Sequence, residues 1–224
     1  MKTLVKYILL AVVMLMYAGC SNHPPSAAQF MNAKMGTNVG LGLTARVGDV
    51  YDSSYVYDRQ DKASISLEEG NWNLESTLYF GFPYFAFGIE AEDYTLRLVL
   101  GARTDYLGVV YWVALPFRDD NEVRYAQGFM LIEQYPVSEN FKIGVSEHLS
   151  KNSYRVIDDP GCCTFNDVYG NVYNEVGVGV YVVYNSLSAE FRYGKELDSS
   201  NKRFYFMVNY KWNFPFAFMK KSGS

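Results

Sequence analysis

The stretch VGLGLTARV, residues 39–47, alternates apolar side chains with small or polar ones at every position. Valine, leucine and alanine occupy the odd positions, whereas glycine, threonine and arginine occupy the even ones. Successive side chains of a β-strand point to opposite faces, so this period of two predicts a strand with one apolar and one polar face. A helix would need an apolar stripe with a period of 3.6 residues, and the chain after Thr37 shows no such stripe.

The same alternation recurs along the rest of the chain. Clear runs lie near 72–82, 93–103, 175–184, 187–194 and 204–214, and weaker runs lie near 84–91, 106–116, 123–134 and 140–150. Most are about 9–11 residues long, which is the length that a tilted strand needs to cross a membrane. With the first run they predict ten strands, or eight if the 84–91 run or its neighbour is not a strand.

Glycines indicate which face of these strands points inward. All the glycines inside the predicted strands fall on the polar face: Gly40, Gly42, Gly81, Gly88, Gly101, Gly108, Gly128, Gly144, Gly177, Gly179 and Gly194. Glycine gains nothing by facing water, whereas inside a narrow barrel it makes room for larger inward side chains. Charges of both signs share this face and can pair across a lumen: Arg46, Glu75, Arg97, Glu175, Glu190, Arg192 and Lys211.

Loop lengths alternate in the same sense. The connections 48–71 and 151–173 are long and acidic or polar, whereas 104–105 and 185–186 are tight turns. Outer-membrane barrels alternate long outer loops with short periplasmic turns. The predicted fold is therefore all-β, an up-and-down antiparallel β-barrel.

The N-terminus has the features of an export signal. Lys2 and Lys6 precede an apolar run of twelve residues, 7–18, which is too short for a membrane helix of about 20 residues. The run ends in Tyr17-Ala18-Gly19-Cys20, which resembles a bacterial lipoprotein signal. This resemblance implies that the Cys20 thiol is lipidated and that the chain is cleaved before it. An ordinary signal peptide cut after residue 28 is the alternative.

These features divide the chain into four parts. Residues 1–19 are predicted to be the signal peptide, 20–35 a lipidated tether, 36–216 the barrel and 217–224 a polar tail. An even number of strands puts both ends of the barrel in the periplasm. We therefore expect an outer-membrane protein with its lipid anchor on the periplasmic side, in contact with membrane lipid.

Composition excludes other classes of protein. The chain has 224 residues, is 49% hydrophobic and carries a net charge of -4. This apolar content excludes a disordered chain, and the charge leaves no basic surface for nucleic acid. The sequence has no phosphate-binding loop, dinucleotide glycine pattern or CxxC motif, so no cofactor is predicted.

One pair of residues has the spacing of a catalytic site. His148 and Ser150 are two positions apart, so both project from the same strand face as a base and a nucleophile would. The surrounding sequence is similar to the His-x-Ser-Asn type motif of outer-membrane phospholipases and lipid A deacylases, which implies lipid-ester hydrolysis. The alternation of the strand, however, points both residues into the lumen, where a polar structural role is expected.

The remaining cysteines and acidic loops predict little further chemistry. Cys162 and Cys163 are adjacent in the longest loop, where a strained loop-tip disulfide or a bond to another chain are the options. No histidine lies near them and the acidic loops lack calcium-loop spacing, so no metal site is predicted.

The sequence therefore predicts a non-enzymatic envelope protein with a structural, adhesive or narrow-pore role, contacting any surface ligand through loops 48–71 and 151–173. One alternative is a lipid esterase that uses Ser150 and His148. A second alternative is a soluble periplasmic barrel, tethered through Cys20, that binds an apolar ligand.

Overall fold

The computed structural model describes residues 23–48, 72–92, 95–116, 126–153, 172–198 and 202–215. It contains one short helix, α1 (Ala27–Met31), followed by ten strands. The strands are β1 (Gly36–Gly48), β2 (Trp72–Gly81), β3 (Phe85–Glu92), β4 (Thr95–Arg103), β5 (Leu107–Pro116), β6 (Ala126–Pro136), β7 (Phe141–Ser153), β8 (Val172–Tyr184), β9 (Leu187–Glu196) and β10 (Lys202–Phe214). Among the described residues, no helix is long and apolar enough to cross a membrane.

The strands form a closed antiparallel barrel in which each strand pairs with its neighbours in the chain. The barrel closes where β1 pairs with β10, from Thr37 opposite Phe214 to Gly48 opposite Arg203. The predicted all-β, ten-stranded, up-and-down barrel is therefore confirmed. Closure removes the sheet edges and satisfies the backbone hydrogen bonds between strands, which a bilayer requires.

The outer face of the barrel is apolar. Large hydrophobic side chains are exposed on every strand whose outer face is described: examples are Leu43, Leu74, Phe87, Leu100, Val109, Leu131, Val145, Val178, Phe191 and Phe206. Charged residues are instead buried inside, among them Arg97, Glu175 and Arg192. This is the reverse of a water-soluble barrel, so the soluble tethered alternative does not fit the structure. An antiparallel barrel with such an outer face is of the outer-membrane type.

The two ends of the barrel differ. At one end the connections are short, at residues 82–84, 104–106, 137–140 and 185–186. We call this the turn end, and we call the opposite end, where the longest connections join the strands, the loop end. Both β1 and β10 have their outer termini, Gly36 and Phe214, at the turn end.

Some strands are longer than the sequence pattern predicts. β10 begins at Lys202 instead of residue 204, because Arg203 is buried in the lumen and bonded to carboxylates there. β7 reaches Ser153, three residues beyond the predicted strand, and Asn152 is buried in this extension. These added residues lengthen the loop end of the barrel.

Candidate functional site: an occupied lumen

The lumen contains the chain's own N-terminal region. Residues 23–33, which we call the lumen segment, are all buried, and the Phe30 side chain is completely inaccessible. The sequence predicts a tether for residues 20–35, but most of that stretch is part of the barrel interior. The lumen is therefore filled by backbone and side chains from outside the sheet.

The lumen segment runs from the loop end to the turn end. Its first described residue, His23, packs against Tyr205 of β10, with ring centroids 5.7 Å apart, and Tyr205 is three residues from the loop end of its strand. Its last residue, Ala33, accepts a hydrogen bond from Arg103, the final residue of β4 at the turn end. The chain then enters β1 at Gly36, whose φ of 124° is a conformation that favours glycine.

The sequence of the lumen segment suits a confined course. Pro24 and Pro25 have no backbone N–H groups that would need partners inside the barrel. Ser26 then caps α1, and its hydroxyl accepts a hydrogen bond from the Gln29 backbone N–H. The helix begins with two alanines, which keep it narrow.

Strand β9 binds the first part of this segment through two charged side chains. Arg192 donates to the carbonyl oxygens of Pro24 and Pro25 over 2.9 and 2.5 Å. Glu190 accepts from the Ser26 hydroxyl over 2.9 Å and also pairs with Arg192. Both side chains are almost fully buried. The ion pair therefore supplies donor and acceptor groups to a segment that the strands' backbone does not bond.

The opposite wall of the lumen is apolar. Phe30 and Met31 belong to one buried cluster with inward side chains of β4, β5 and β6, among them Val99, Trp112 and Ile132. The lumen thus has a charged side and an apolar side, and the lumen segment presents Ser26 to one and Phe30 to the other. Burying an aromatic side chain here adds about 1.5–3 kcal/mol of hydrophobic stabilisation.

Inward glycines make the space that the lumen segment occupies. A Cβ atom on Gly101 would collide with the Phe30 ring, and one on Gly108 would collide with the Met31 sulfur. A Cβ on Gly40 would collide with the Gln29 side-chain oxygen. Other glycines make room for lumen side chains, as Gly177 does for His148. The glycine pattern found in the sequence therefore serves both the charged residues and the lumen segment.

A charged network fills the loop end of the lumen. Glu175 accepts from His148 Nε2 over 3.0 Å, from the Tyr205 hydroxyl over 3.1 Å and from Arg203 over 3.3 Å. Arg203 also pairs with Glu196. A buried carboxylate with three donors, one of them a guanidinium, is well compensated, so this network fixes the relative positions of β7, β8, β9 and β10.

A second network lies on β2, β3 and β4. The Glu90 carboxylate accepts from both the Tyr79 hydroxyl and Arg97, and Arg97 also lies 3.8 Å from Glu75. Each of these side chains is at most 2% exposed. The pairing of one guanidinium with two carboxylates links three adjacent strands through their inward faces.

All the lumen charges proposed from the sequence are buried in the interior: Arg46, Glu75, Arg97, Glu175, Glu190, Arg192 and Lys211. Sequence reasoning missed three others, namely Glu90, Glu196 and Arg203. Glu90 lies in a run with weak alternation, Glu196 lies beyond the predicted run 187–194, and Arg203 directly precedes the predicted run 204–214. Their positions in the alternation could have identified them, because each residue continues the inward face of its strand.

The structure places His148 and Ser150 side by side on β7, both buried in the lumen. They are not joined as base and nucleophile, because His148 Nε2 is bonded to Glu175 and the Ser150 hydroxyl accepts from Asn152 over 3.0 Å. Neither group reaches the outer wall, where an acyl ester of a membrane lipid would lie. The arrangement matches a structural network and does not match an accessible esterase site.

The remaining predicted sites lie outside the described residues. These are the lipidation site Cys20, the pair Cys162 and Cys163, and most of the surface loops 48–71 and 151–173. In the part of the chain that the structure describes, no group of three or more His, Cys, Asp or Glu residues is arranged to hold a metal ion.

Comparison with known proteins finds similarity only among solved structures. No protein-family model and no curated protein matches the chain. Among solved structures it is similar to Neisserial surface protein A, with 13% identity, a TM-score of 0.44, and coverage of 80% of this chain and 98% of the other. It is also similar to the N-terminal β-barrel domain of Pseudomonas aeruginosa OprF, with 8% identity, a TM-score of 0.38, and coverage of 80% of this chain and 100% of the other.

An outer-membrane channel from Pseudomonas putida F1 has 10% identity, a TM-score of 0.38, and coverage of 85% of this chain and 100% of the other. At these identities and TM-scores the likenesses give no information about what the chain binds or does.

Proposed function

We propose that this chain is a non-enzymatic outer-membrane lipoprotein, a barrel that its own N-terminal segment closes and that displays its long loops at the cell surface. The observation that carries this proposal is the burial of residues 23–33 along the lumen. A segment that runs from one end of the lumen to the other leaves no room for the water-filled channel of an open porin. A structural or adhesive role therefore fits better than transport.

The course of the lumen segment also bears on the lipid anchor. Cys20 precedes His23 by three residues, and three residues span at most about 11 Å. His23 lies near the loop end, so a lipidated Cys20 belongs on that side of the barrel. The sequence alone predicts an anchor on the periplasmic side, with the barrel termini. The direction of residues 23–33 favours the long-loop side instead.

Burial of Ala27 and Ala28 in the lumen supports the lipoprotein signal over its alternative. Cleavage after residue 28 would remove Pro24, Pro25 and Ser26, which carry most of the hydrogen bonds to Glu190 and Arg192. Cleavage before Cys20 leaves the whole lumen segment in place.

Conductance in planar bilayers tests the closed-barrel proposal. The purified full chain is expected to show no steady conductance, whereas a variant lacking residues 23–33 is expected to conduct ions. Unboiled and boiled samples on a gel show whether each protein is folded, because folded barrels migrate differently from heated ones. Because the deletion removes buried contacts, Glu190→Gln/Arg192→Gln is the second variant, and transient openings are expected from it.

Mass spectrometry of the mature N-terminus tests the anchor. Acyl chains on Cys20 in the wild type and their loss in Cys20→Ser support it, and an unmodified N-terminus after residue 28 refutes it. A closed wild type that opens on deletion supports the closed barrel. A conducting wild type, or a folded deletion variant that remains closed, contradicts it.

A further inference from the structure

A cavity of about 410 Å³ lies at the turn end of the barrel, below the end of the lumen segment. Its lining comes from residues 31–35 and from the short connections, including Pro83, Asp105, Asn140 and Asn185. This volume is in the range of sites that bind small molecules. The cavity therefore has the size of a binding site in a part of the molecule that the closed barrel itself does not explain.

Four basic residues from separate elements line this cavity: Lys34 before β1, Arg103 at the end of β4, Lys142 near the start of β7 and Lys211 on β10. The acidic residues in the lining are Asp105 and Glu139. Lys211 lies within electrostatic range of the other three cations, and it is only 8% exposed. The lining thus brings together positive charge that its own carboxylates do not balance.

Two of the cations are held in place by neutral partners. Arg103 donates to the Met31 carbonyl over 2.7 Å and to that of Ala33, and Lys211 donates to the Asn32 carbonyl. A carbonyl oxygen satisfies a donor but does not neutralise a cation. These hydrogen bonds therefore fix the two groups at the cavity and leave their charge available to a ligand.

The other two cations have more freedom to reach a ligand. Neither the Lys34 nor the Lys142 ammonium makes a hydrogen bond or salt bridge to the residues that the structure describes. Arg103 Nε is buried and has no hydrogen-bond partner among them. The cavity therefore offers two ammonium groups without a bonded partner among these residues and one further donor beside two fixed cations, with the Asp105 carboxylate within electrostatic range of Arg103 and Lys142.

We propose that this cavity binds a phosphate group, with Lys34 and Lys142 as its direct partners and Arg103 and Lys211 as fixed neighbouring charges. A phosphate dianion complements the positive excess in the lining, and neutral donors such as Asn140 and Ser186 can complete its hydrogen bonds. The volume exceeds that of a bare phosphate, so the ligand is a phosphorylated small molecule or a phospholipid headgroup. The site is independent of lipidation at Cys20 and of whether the barrel conducts.

Calorimetric titration of inorganic phosphate into the full chain in a zwitterionic detergent tests the site. Saturable binding is expected, and it should weaken at least tenfold in Lys34→Gln/Lys142→Gln. Phosphate should also protect Lys142 from acylation by an amine reagent, which mass spectrometry reads residue by residue. The matched control is Lys151→Gln/Lys195→Gln, which removes two exposed lysines from the loop end and should bind phosphate as the wild type does.

Nanodiscs distinguish the two sources of the phosphate group. If phosphatidylglycerol nanodiscs suppress phosphate binding and phosphatidylcholine nanodiscs do not, the ligand is an anionic headgroup. If both leave binding unchanged, it is a soluble phosphorylated molecule. The proposal is overturned if phosphate neither binds saturably nor protects Lys142, or if the cavity variant binds it as tightly as the control variant does.

Discussion

The guanidinium of Arg192 and the carbonyl oxygen of Pro24 lie 2.9 Å apart, although 168 positions separate them in the sequence. This hydrogen bond joins the penultimate strand to the region just before the first one. Arg192 also pairs with Glu190, so its charge is compensated inside the lumen. One buried side chain thus contributes both to the stability of the wall and to the position of the lumen segment.

Removing that side chain should destabilise the whole barrel. In Arg192→Met the Glu190 carboxylate stays buried without its salt-bridge partner, so we expect the free energy of unfolding to fall by about 3–5 kcal/mol. Urea unfolding in lipid vesicles, followed by tryptophan fluorescence, measures the change. Lys195→Met is the control on the same strand, since Lys195 is exposed and should change stability by less than about 0.5 kcal/mol. Equal midpoints for the two variants would contradict this account.

The space beside Gly108 is occupied by the Met31 side chain of the lumen segment, so a larger residue at position 108 should compete with Met31. A leucine at this position would overlap the Met31 sulfur, while its other neighbour, Ile132, is at ordinary contact distance. We expect Gly108→Leu to lower the free energy of unfolding by about 1–3 kcal/mol through overpacking. Shortening the clashing side chain in Gly108→Leu/Met31→Ala should recover most of the loss. If the double variant is less stable than either single variant, the two residues do not share this space.

A lipid-facing carboxylate should lower the stability of the isolated barrel. Glu147 is the central residue of β7, is exposed on the outer face and lies opposite Leu131. Charged side chains at such positions are unfavourable in a bilayer, so Glu147→Leu should raise the free energy of unfolding by about 1–2 kcal/mol. Glu175→Leu, an inward change on the next strand, should lower it because Arg203 and His148 lose their shared partner. A drop in stability for both variants would show that Glu147 does not face lipid.

Ester hydrolysis should be absent whether or not Ser150 is present. Its hydroxyl is buried beside Asn152, and His148 is bonded to Glu175. Phospholipase and lipid A deacylase assays in detergent should give the same negligible rate for the wild type and for Ser150→Ala. A measurable wild-type rate that Ser150→Ala abolishes would restore the esterase hypothesis.

The outward-facing residues could be predicted because apolar and polar side chains alternate with the period of a β-strand. Leucines and valines face outward on β1 and β8 and most inward residues are small or polar, so the alternation is strong there. It is weak on β5 for a physical reason. Val110 and Trp112 point inward to the apolar side of the lumen, while Val109 and Tyr111 point outward, so both faces of that strand are apolar.

The lumen segment was not predictable in the same way. Its eleven residues include two prolines and one short helix, too few for any period to appear. Small and polar residues such as Ser26 and Ala28 are typical of a tether in water, and both hydrogen-bond to Glu190, more than 160 positions away. The inward glycines indicated a crowded interior but did not show that part of the crowding comes from the N-terminus.

The position of residues 23–33, directly before β1, limits the order in which the molecule can be assembled. The seam between β1 and β10 joins the first strand to the last, so the sheet can be completed only after β10 has been made. If the sheet curls around the segment before this seam pairs, no end of the chain has to pass through a finished ring. The segment is therefore enclosed by the sheet and is not threaded through a closed barrel. The interior becomes packed when β1 pairs with β10.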